Sequence, residues 1–420
     1  GDETRAVLEA KDDITAGDGA KHDVIAGKAE LATATTSNIF RLLAACGIPV
    51  AFQKQLDAVH FLAERCAMLP YEVVVRREAH GSYPKRHPHL KKGYVFPRLL
   101  TEFFLKTKGK MWEGRSFPKD DPHISFGPSW SPIHLYRPDV PVWHEEAYIF
   151  TLDEFPGREN RHELFPAMSR VACQAFLVLE KAWQLLGQRL VDFKVEFGFN
   201  QSGDLRLADV IDNDSWRVLG EGGRYIDKQL YRDGAPLNEV TAQYRRVAEL
   251  TGRFGLPRQS IVLWRGSEKD DLKPFHEAIA HLGFHYREAA PSPGEENTVV
   301  EITRSAHKQP ALAYQELAGL VQETPDTVVI AYVGRSNGLG PMLAANTTVP
   351  VITVPASVKD FPDDVWSSLR MPTDVPVMTV LEPKNAVLAA LQILAMRNPR
   401  LYAELRLQQE ERLTNVVELE

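Results

Sequence analysis

Residues 328–341 read VVIAYVGRSNGLGP, an unbroken apolar run that ends in a loop of glycine, Ser336 and Asn337. A run this apolar is the pattern of a strand covered on both faces, the situation of a parallel sheet packed between helices. The loop after it exposes much backbone and little charge, and its glycine spacing matches neither the dinucleotide fingerprint nor a Walker loop. The same rhythm repeats from residue 260: strands SIVLWRG, TVVEITR, VPVITVP and VMTVLEP alternate with helical stretches DLKPFHEAIAHLG, ALAYQELAGLV and AVLAALQILAM. The alternation predicts an α/β unit, a doubly wound parallel sheet in a three-layer sandwich.

Ligands of such sheets bind at the carboxyl ends of the strands, where loop amides and helix N-termini point outward. Three unusual loops fall there: RGSEKD (265–270), RSAHKQP (304–310) and VGRSNGLGP (333–341). Gly266 and Ser267, followed by Asp270, suit a phosphate and a ribose hydroxyl. His307 beside Lys308 supplies a group that titrates near neutral pH. The glycine loop suits a flat uncharged ring or a small gas-like molecule. Taken singly, a histidine after a strand is more often a cap and a glycine loop more often a turn. Three such loops on one edge favour a site.

Before residue 250 strands dominate: AVLEAK, VAFQKQL, YEVVVRREAH, LVDFKVEFGF and LRLADVID, with helices expected over 22–45, 162–186 and 237–250. This predicts an α+β domain with a largely antiparallel sheet. The glycines and proline of TGRFGLPRQS (251–260) mark the boundary, giving domains 1–252 and 260–420. Residues 107–160, rich in proline and tryptophan and without periodicity, read as loop with no role beyond a lid. The last helix, running on into a charged tail, is expected to leave the subunit, a solvated terminal helix being the alternative.

Charged residues gather in four places in this first domain. KDDITAGDGAK (11–21) sets aspartates around a glycine turn; VVVRREAHGSYPKR (73–86) ends a strand in Arg76 and Arg77, then presents Gly81, Ser82, Lys85 and Arg86. VDFKVEFG (191–198) alternates, so Asp192, Lys194 and Glu196 share one strand face, opposite Val191, Phe193, Val195 and Phe197. LADVIDNDSWR (207–217) adds Asp209, Asp212, Asp214 and Arg217. Period-two charge is often a solvated face, but a neighbouring strand ending in aspartates points to oxygen ligands for Mg²⁺ on a nucleotide's phosphates. The Arg and Ser cluster suits a second phosphate. Together these features point to an ATP-dependent ligase.

The 420 residues carry 25% charged and 44% hydrophobic residues, the balance of a globular enzyme of two or three domains. A net charge of −7 without a basic block argues against nucleic acid. Three scattered cysteines imply a reducing compartment. Short, interrupted apolar runs and the absence of a signal-like stretch argue against a membrane, so a cytosolic protein is expected.

SAHK, GRSNGLGP, NTTVPVI and DVWSSLRMP closely resemble the carboxylase domain of the animal-type phosphoribosylaminoimidazole carboxylases, over about residues 260–390. The resemblance implies a flavodoxin-like fold that adds carbon dioxide to aminoimidazole ribonucleotide without biotin, metal or ATP. By the same resemblance His307 shuttles the proton of the ring carbon and Lys308 biases the charge. The resemblance further implies that Ser336, Asn337 and Gly338 would wall the carbon dioxide pocket, that Ser267 and Asp270 would hold the ribose phosphate, and that Gly266, Ser305 and Arg335 would join them in binding substrate or carbon dioxide. Lys269 departs from the family's Gly-Ser-x-Ser-Asp loop, where a second serine is usual.

LPYEVVVRREAHGS, LVDFKVEFG, ADVIDNDSWR and DKQLYRD resemble phosphoribosylaminoimidazole-succinocarboxamide synthetases, over about residues 6–250. That resemblance implies a fold related to ATP-grasp enzymes, with a carboxylate activated as an acyl phosphate and joined to L-aspartate. It assigns Arg76, Gly81, Ser82 and Arg217 to the substrate phosphate and Asp18 to the imidazole side. Lys228 and Arg232 would meet phosphate or the aspartate carboxylate, Lys11 and Lys194 the nucleotide, and Glu196 and Asp209 Mg²⁺ with ATP. His80 replaces the usual small or hydroxyl residue before Gly-Ser. The family's glycine- and lysine-rich phosphate hairpin is expected upstream of Gly1. The two resemblances together imply a bifunctional homo-octamer catalysing consecutive steps of purine synthesis. The rival readings are a carboxyl mutase and a fusion whose N-terminal half is a non-catalytic scaffold.

Overall fold

The computed structural model describes residues 3–16, 21–107, 111–112, 114–116, 121–127, 130, 132–152, 161–280, 285–287, 297–323 and 326–417. The chain divides into two compact units, Gly1–Gly255 together with Arg406–Glu420, and Leu256–Leu405.

The first unit is built on an antiparallel sheet whose spine is Ala67–Glu78, Val95–Leu105 and Arg189–Phe199. Leu205–Ala208 and Trp216–Leu219 both pair with Arg189–Phe199. Period-two alternation explains the two faces. Phe193 points to the helix Arg161–Leu185 and meets Phe176 at 5.4 Å, while Tyr71 meets Phe165 of the same helix at 5.1 Å. The neighbours Asp192 and Lys194 turn to the other face, away from that helix.

Two expectations need correction here. The first helix is Lys28–Ala45, not 22–45, because Lys21–Val24 pairs with Asp13–Ala16 in a hairpin. The Asp12 carboxylate then receives the N–H groups of Gly27 and Ala29 at 3.3 and 2.8 Å, capping the helix start and fixing where it begins. Nor is 107–160 merely loop: His123–Phe126, Ile133–Tyr136 and Tyr148–Leu152 extend the main sheet.

The second unit holds an all-parallel sheet of Gln259–Arg265, His285–Arg287, Asn297–Thr303, Asp326–Val333, Val351–Pro355 and Met378–Thr379. Apart from the edge strand His285–Arg287, the order is second-first-third-fourth-fifth, the flavodoxin-like arrangement. Ile261, Leu263, Val328 and Ile330 face the helices Lys273–Ile279 and Pro383–Ala395. Val262, Trp264, Val329 and Ala331 face Pro310–Glu323 and Leu339–Ala345. Covered on both sides, the central strands such as Gln259–Arg265, Asp326–Val333 and Val351–Pro355 read as largely apolar sequence.

The last helix is Pro399–Val417. Its residues from Arg406 onward belong to the first unit. There Glu410, 6% exposed, accepts the Leu99 N–H at 2.6 Å and the Arg77 and Arg406 guanidiniums at 3.2 and 2.8 Å.

Candidate active sites

On the charged face of the first sheet, register decides which groups meet. Asp192 stands opposite Arg76 on one side and Arg217 on the other. Its buried carboxylate receives Arg76 at 2.6 Å and Arg217 at 2.7 Å. Arg76 also donates from Nε to Glu102 at 2.6 Å, and Arg86 donates to the same carboxylate. Burial alone would raise the Glu102 carboxyl, but the Arg76 and Arg86 guanidiniums outweigh it and hold the group at about 2. Burial lowers the His123 imidazole beside it to about 4, against the pull of Glu102.

Asp192, Arg76 and Arg217 line a cavity of about 380 Å³ together with Glu72, Ser82, Lys85, Lys194 and Arg232 among others. Arg76 is 3% exposed and its guanidinium is bound to Glu102, Asp192 and the His80 carbonyl, so it braces the floor. Lys85 and Arg232 are exposed, and Arg217 and Lys194 are half-buried. Gly81, with φ +62°, lets Arg217 lie flat against it: a Cβ there would stand 2.4 Å from the guanidinium.

Further along the same strand Lys194 donates to Glu72 at 2.9 Å. Burial would lower the Lys194 ammonium, but Glu72, with Glu196 and Asp209 beyond, raises it instead. Glu196 holds the Lys106 ammonium. Its carboxyl is raised by burial, with Lys106 opposing and the Asp209 charge adding to the shift. Asp209 sits in the left-handed region at φ +64°. Glu196 pairs across the sheet with Ala208, so the two carboxylates are neighbours, and two hard oxygen donors of this kind fit a divalent cation carried by a nucleotide.

Not every expected residue joins this cavity. Lys228 is buried and donates to Asp214 at 2.9 Å, sharing it with the Tyr244 hydroxyl at 2.7 Å. Lys11 is exposed at the start of the first hairpin and is not among the lining residues. Asp18 lies outside the described residues. Glu72, Asp192, Glu102 and Lys106 received no role from sequence, although Glu72/Arg76 and Glu102/Lys106 repeat the period-two pattern of Asp192/Lys194/Glu196 on the same sheet face.

In the second unit Arg265 lies in register with Thr303 and with Tyr332, so the three loops leave one edge together. His307 lies directly on Gly338, where a Cβ would come 2.1 Å from Nε2. Asp270 approaches the same loop, 3.8 Å from an ideal Cβ at Gly334, and burial raises its carboxyl. Hydrogen bonds from below brace the glycine loop. The Ser336 N–H donates to Asp364 at 2.9 Å, the Asn337 N–H to Ser367 at 3.1 Å and the Asn337 side-chain amide to Ser368 at 3.1 Å. Ser336 itself takes φ +57°. The DVWSSLRMP stretch therefore works as the brace of the loop, a role its sequence did not signal.

Other expected residues are more loosely placed. The Ser305 hydroxyl accepts the Lys308 N–H at 3.3 Å, the Ser267 hydroxyl accepts the Lys269 N–H at 3.3 Å, and Gly266 starts the first loop. Arg335 turns onto the Phe361 ring, 3.4 Å from its centre. His307, Lys308, Arg335 and Ser336 are exposed, so a dry hollow beside the imidazole needs a cover beyond the described residues of this unit.

Fold and edges together define a two-part α/β enzyme. One part offers cations and carboxylates suited to phosphates, the other a histidine on a glycine loop at the edge of a flavodoxin-like sheet. The SAICAR synthetase family model matches residues 1–113 and 139–250, and the AIR carboxylase model matches 296–415. The probable multifunctional protein ADE2 of Caenorhabditis elegans is 34% identical over 95% of this chain and 87% of its own length. The human bifunctional phosphoribosylaminoimidazole carboxylase/phosphoribosylaminoimidazole succinocarboxamide synthetase is 34% identical over 96% of this chain and 88% of its own. The phosphoribosylaminoimidazole-succinocarboxamide synthase of Chloroflexus aurantiacus is 40% identical over 60% of this chain and 89% of its own. The chain belongs to the bifunctional phosphoribosylaminoimidazole carboxylase/succinocarboxamide synthetase family. It is a purine-biosynthesis enzyme that joins a lyase to a ligase.

Proposed function

We propose that the second unit captures free carbon dioxide and that His307 removes the proton. The electron pair of the aminoimidazole ring carbon attacks carbon dioxide, a carbon–carbon bond forms, and the ring carbon's proton passes to the imidazole. Carbon dioxide offers no charge to grip, so peptide walls in a water-poor hollow suit it better than cations. The observation that carries this reading is the contact of His307 with Gly338 of the glycine loop that Asp364, Ser367 and Ser368 brace. Ser267 and Gly266 at the first loop, with Lys269 in place of a hydroxyl, serve the ribose phosphate. Ser305, Lys308, Arg335 and Ser336 complete the edge. The exposure of that edge supports assembly of several copies, for which we adopt a homo-octamer in the cytosol. No described helix is long and apolar enough to cross a membrane.

In the first unit Arg217, Ser82 and Arg232 grip the phosphate of the carboxylated ribotide while Arg76 braces Arg217 through Asp192. Lys194 serves ATP from within the cavity, while Lys11 and Lys228, outside its lining, and Asp18 are assigned to the remaining nucleotide and substrate groups. Glu196 and Asp209 would hold Mg²⁺, which neutralises phosphate charge when bound. The chain's own groups orient the substrate carboxylate for activation and L-aspartate for attack. Fusion keeps the carboxylated product of one edge at high local concentration for the other.

The deciding assay supplies bicarbonate as the source of carbon dioxide, without ATP, together with aminoimidazole ribonucleotide. Carboxylated product is expected. Product formed only from the isomer carboxylated on its exocyclic amine would establish a mutase instead.

A further inference from the structure

The turn that seats Arg217 is held by a residue outside the cavity's lining. His80 is 4% exposed and its ring is fixed from both sides: Nδ1 lies 2.6 Å from the Tyr225 hydroxyl and Nε2 lies 3.2 Å from Glu78 Oε2. Glu78, itself 2% exposed, receives Arg189 at 2.9 Å through its other oxygen. A carboxylate oxygen accepts, so Nε2 donates to Glu78, and in the neutral imidazole Nδ1 then accepts from the tyrosine hydroxyl. The Tyr225 ring stands edge-on to the imidazole at 5.9 Å, with the Lys92 ammonium 5.1 Å from its centre.

What this clamp holds is the backbone between the end of the long strand and Ser82. The His80 carbonyl accepts Arg76 at 3.3 Å and the Tyr83 N–H at 3.2 Å. The next residue is Gly81, against which the Arg217 guanidinium lies. Tyr225 belongs to the segment that folds back on the Arg217 strand: it bridges to Leu219, two residues beyond Arg217. The imidazole therefore ties the turn that carries Gly81 and Ser82 to the segment that follows Arg217. A small or hydroxyl residue at position 80 has no ring to span the two.

We propose that His80 is a positioning residue for the ribotide phosphate, fixing the distance between the Gly81–Ser82 turn and Arg217 through its bond to Tyr225. The inference rests on the assignment of that cavity to the ribotide. Its selectivity follows from geometry: the clamp adjoins Arg217 and Ser82, whereas Lys194, Glu196 and Asp209 lie further along the sheet.

His80→Ala, Tyr225→Phe and the double variant, each confirmed as folded by thermal melting, are assayed in the synthetase direction with purified full-length protein. The KM for the carboxylated ribotide is expected to rise about tenfold in each single variant, with kcat and the KM for ATP within about twofold. The double variant should rise no further than His80→Ala alone, because both substitutions remove the same His80–Tyr225 bond. Tyr225→Phe loses only a hydroxyl from a half-buried ring, so it tests the bond even where His80→Ala unfolds. An unchanged ribotide KM in folded Tyr225→Phe overturns the proposal, and so does a parallel rise in the KM for ATP. A wild-type protein that fails to consume the ribotide with ATP and L-aspartate would instead count against the underlying cavity assignment.

Discussion

Gly338 and His307 are in such close contact that a first side-chain carbon on the glycine would stand 2.1 Å from the imidazole Nε2. The backbone is not what demands glycine there: Gly338 has φ −94°, which any residue adopts. The space belongs to the ring. Gly338→Ala should therefore leave the melting temperature nearly unchanged but push His307 off the loop. Carboxylation should fall about a hundredfold, the order that a misplacement near 1 Å costs. The check is the two half-reactions measured separately on one preparation. Undiminished carboxylation would show that the ring is not used where it lies.

Removing the ring altogether separates the activities. His307→Ala should lower carboxylation by about 10²–10⁴-fold, the range for a lost acid–base group, while synthetase turnover with supplied carboxylated ribotide stays within about twofold. The side chain is exposed and braces no core, so stability should hold. Equal loss in both half-reactions, with the melting temperature retained, would falsify the division of labour.

The buried charges of the first unit make it sensitive to acid. Glu102 has its carboxyl lowered from 4.5 to about 2, with Arg76 and Arg86 outweighing burial. An acid lowered in the folded state stabilises above its unfolded pKa, and that stabilisation drains away as pH falls from about 4.5 toward 2. Asp227 has the opposite sign. Burial raises it from 3.8 to about 7, so the folded state keeps a proton the unfolded chain has released, and stability declines as pH rises across that window. Urea midpoints measured between pH 3 and pH 8 should show Glu102→Gln flattening the acid limb and Asp227→Asn flattening the limb toward neutrality. Arg76→Met leaves Glu102 and Asp192 short of a guanidinium and should cost about 3–5 kcal/mol.

Much of this was legible because it is local. The parallel sheet announces itself in runs such as Val328–Val333, since strands buried on both faces need no polar alternation. His307 and the glycine loop were visible as contiguous motifs at strand ends. Less local features were hidden. Three strands between residues 123 and 152 are only four or five residues long and are separated by prolines, too short for a period to show. The start of the first helix depended on Asp12 reaching across a hairpin. The Arg76–Asp192 pair is 116 residues apart in sequence and exists only once register sets the two strands side by side. Sequence therefore placed Arg76 and Arg217 at one phosphate, but could not show that both guanidiniums share Asp192 and that Arg76 also holds the buried Glu102.

The neighbours Glu196 and Asp209 give a test of how the nucleotide end works. Asp209 holds a left-handed backbone at φ +64°, a conformation that asparagine tolerates about as well as aspartate. Asp209→Asn therefore removes a charge without disturbing the turn. It also relieves Glu196, whose carboxyl is raised by burial and by the Asp209 charge against the pull of Lys106, so Glu196 should ionise more readily in the variant. If Asp209 acts through a magnesium–nucleotide complex, the Mg²⁺ concentration for half-maximal synthetase rate should rise about tenfold or more, as one of two anionic oxygen ligands is lost. The KM for the carboxylated ribotide and the carboxylase half-reaction should stay put. If Asp209 merely shapes the turn, asparagine should serve as well and the magnesium titration should overlay that of the parent. Glycine at the same position keeps the backbone but has no oxygen, so it should match or exceed the asparagine defect only under the ligand role.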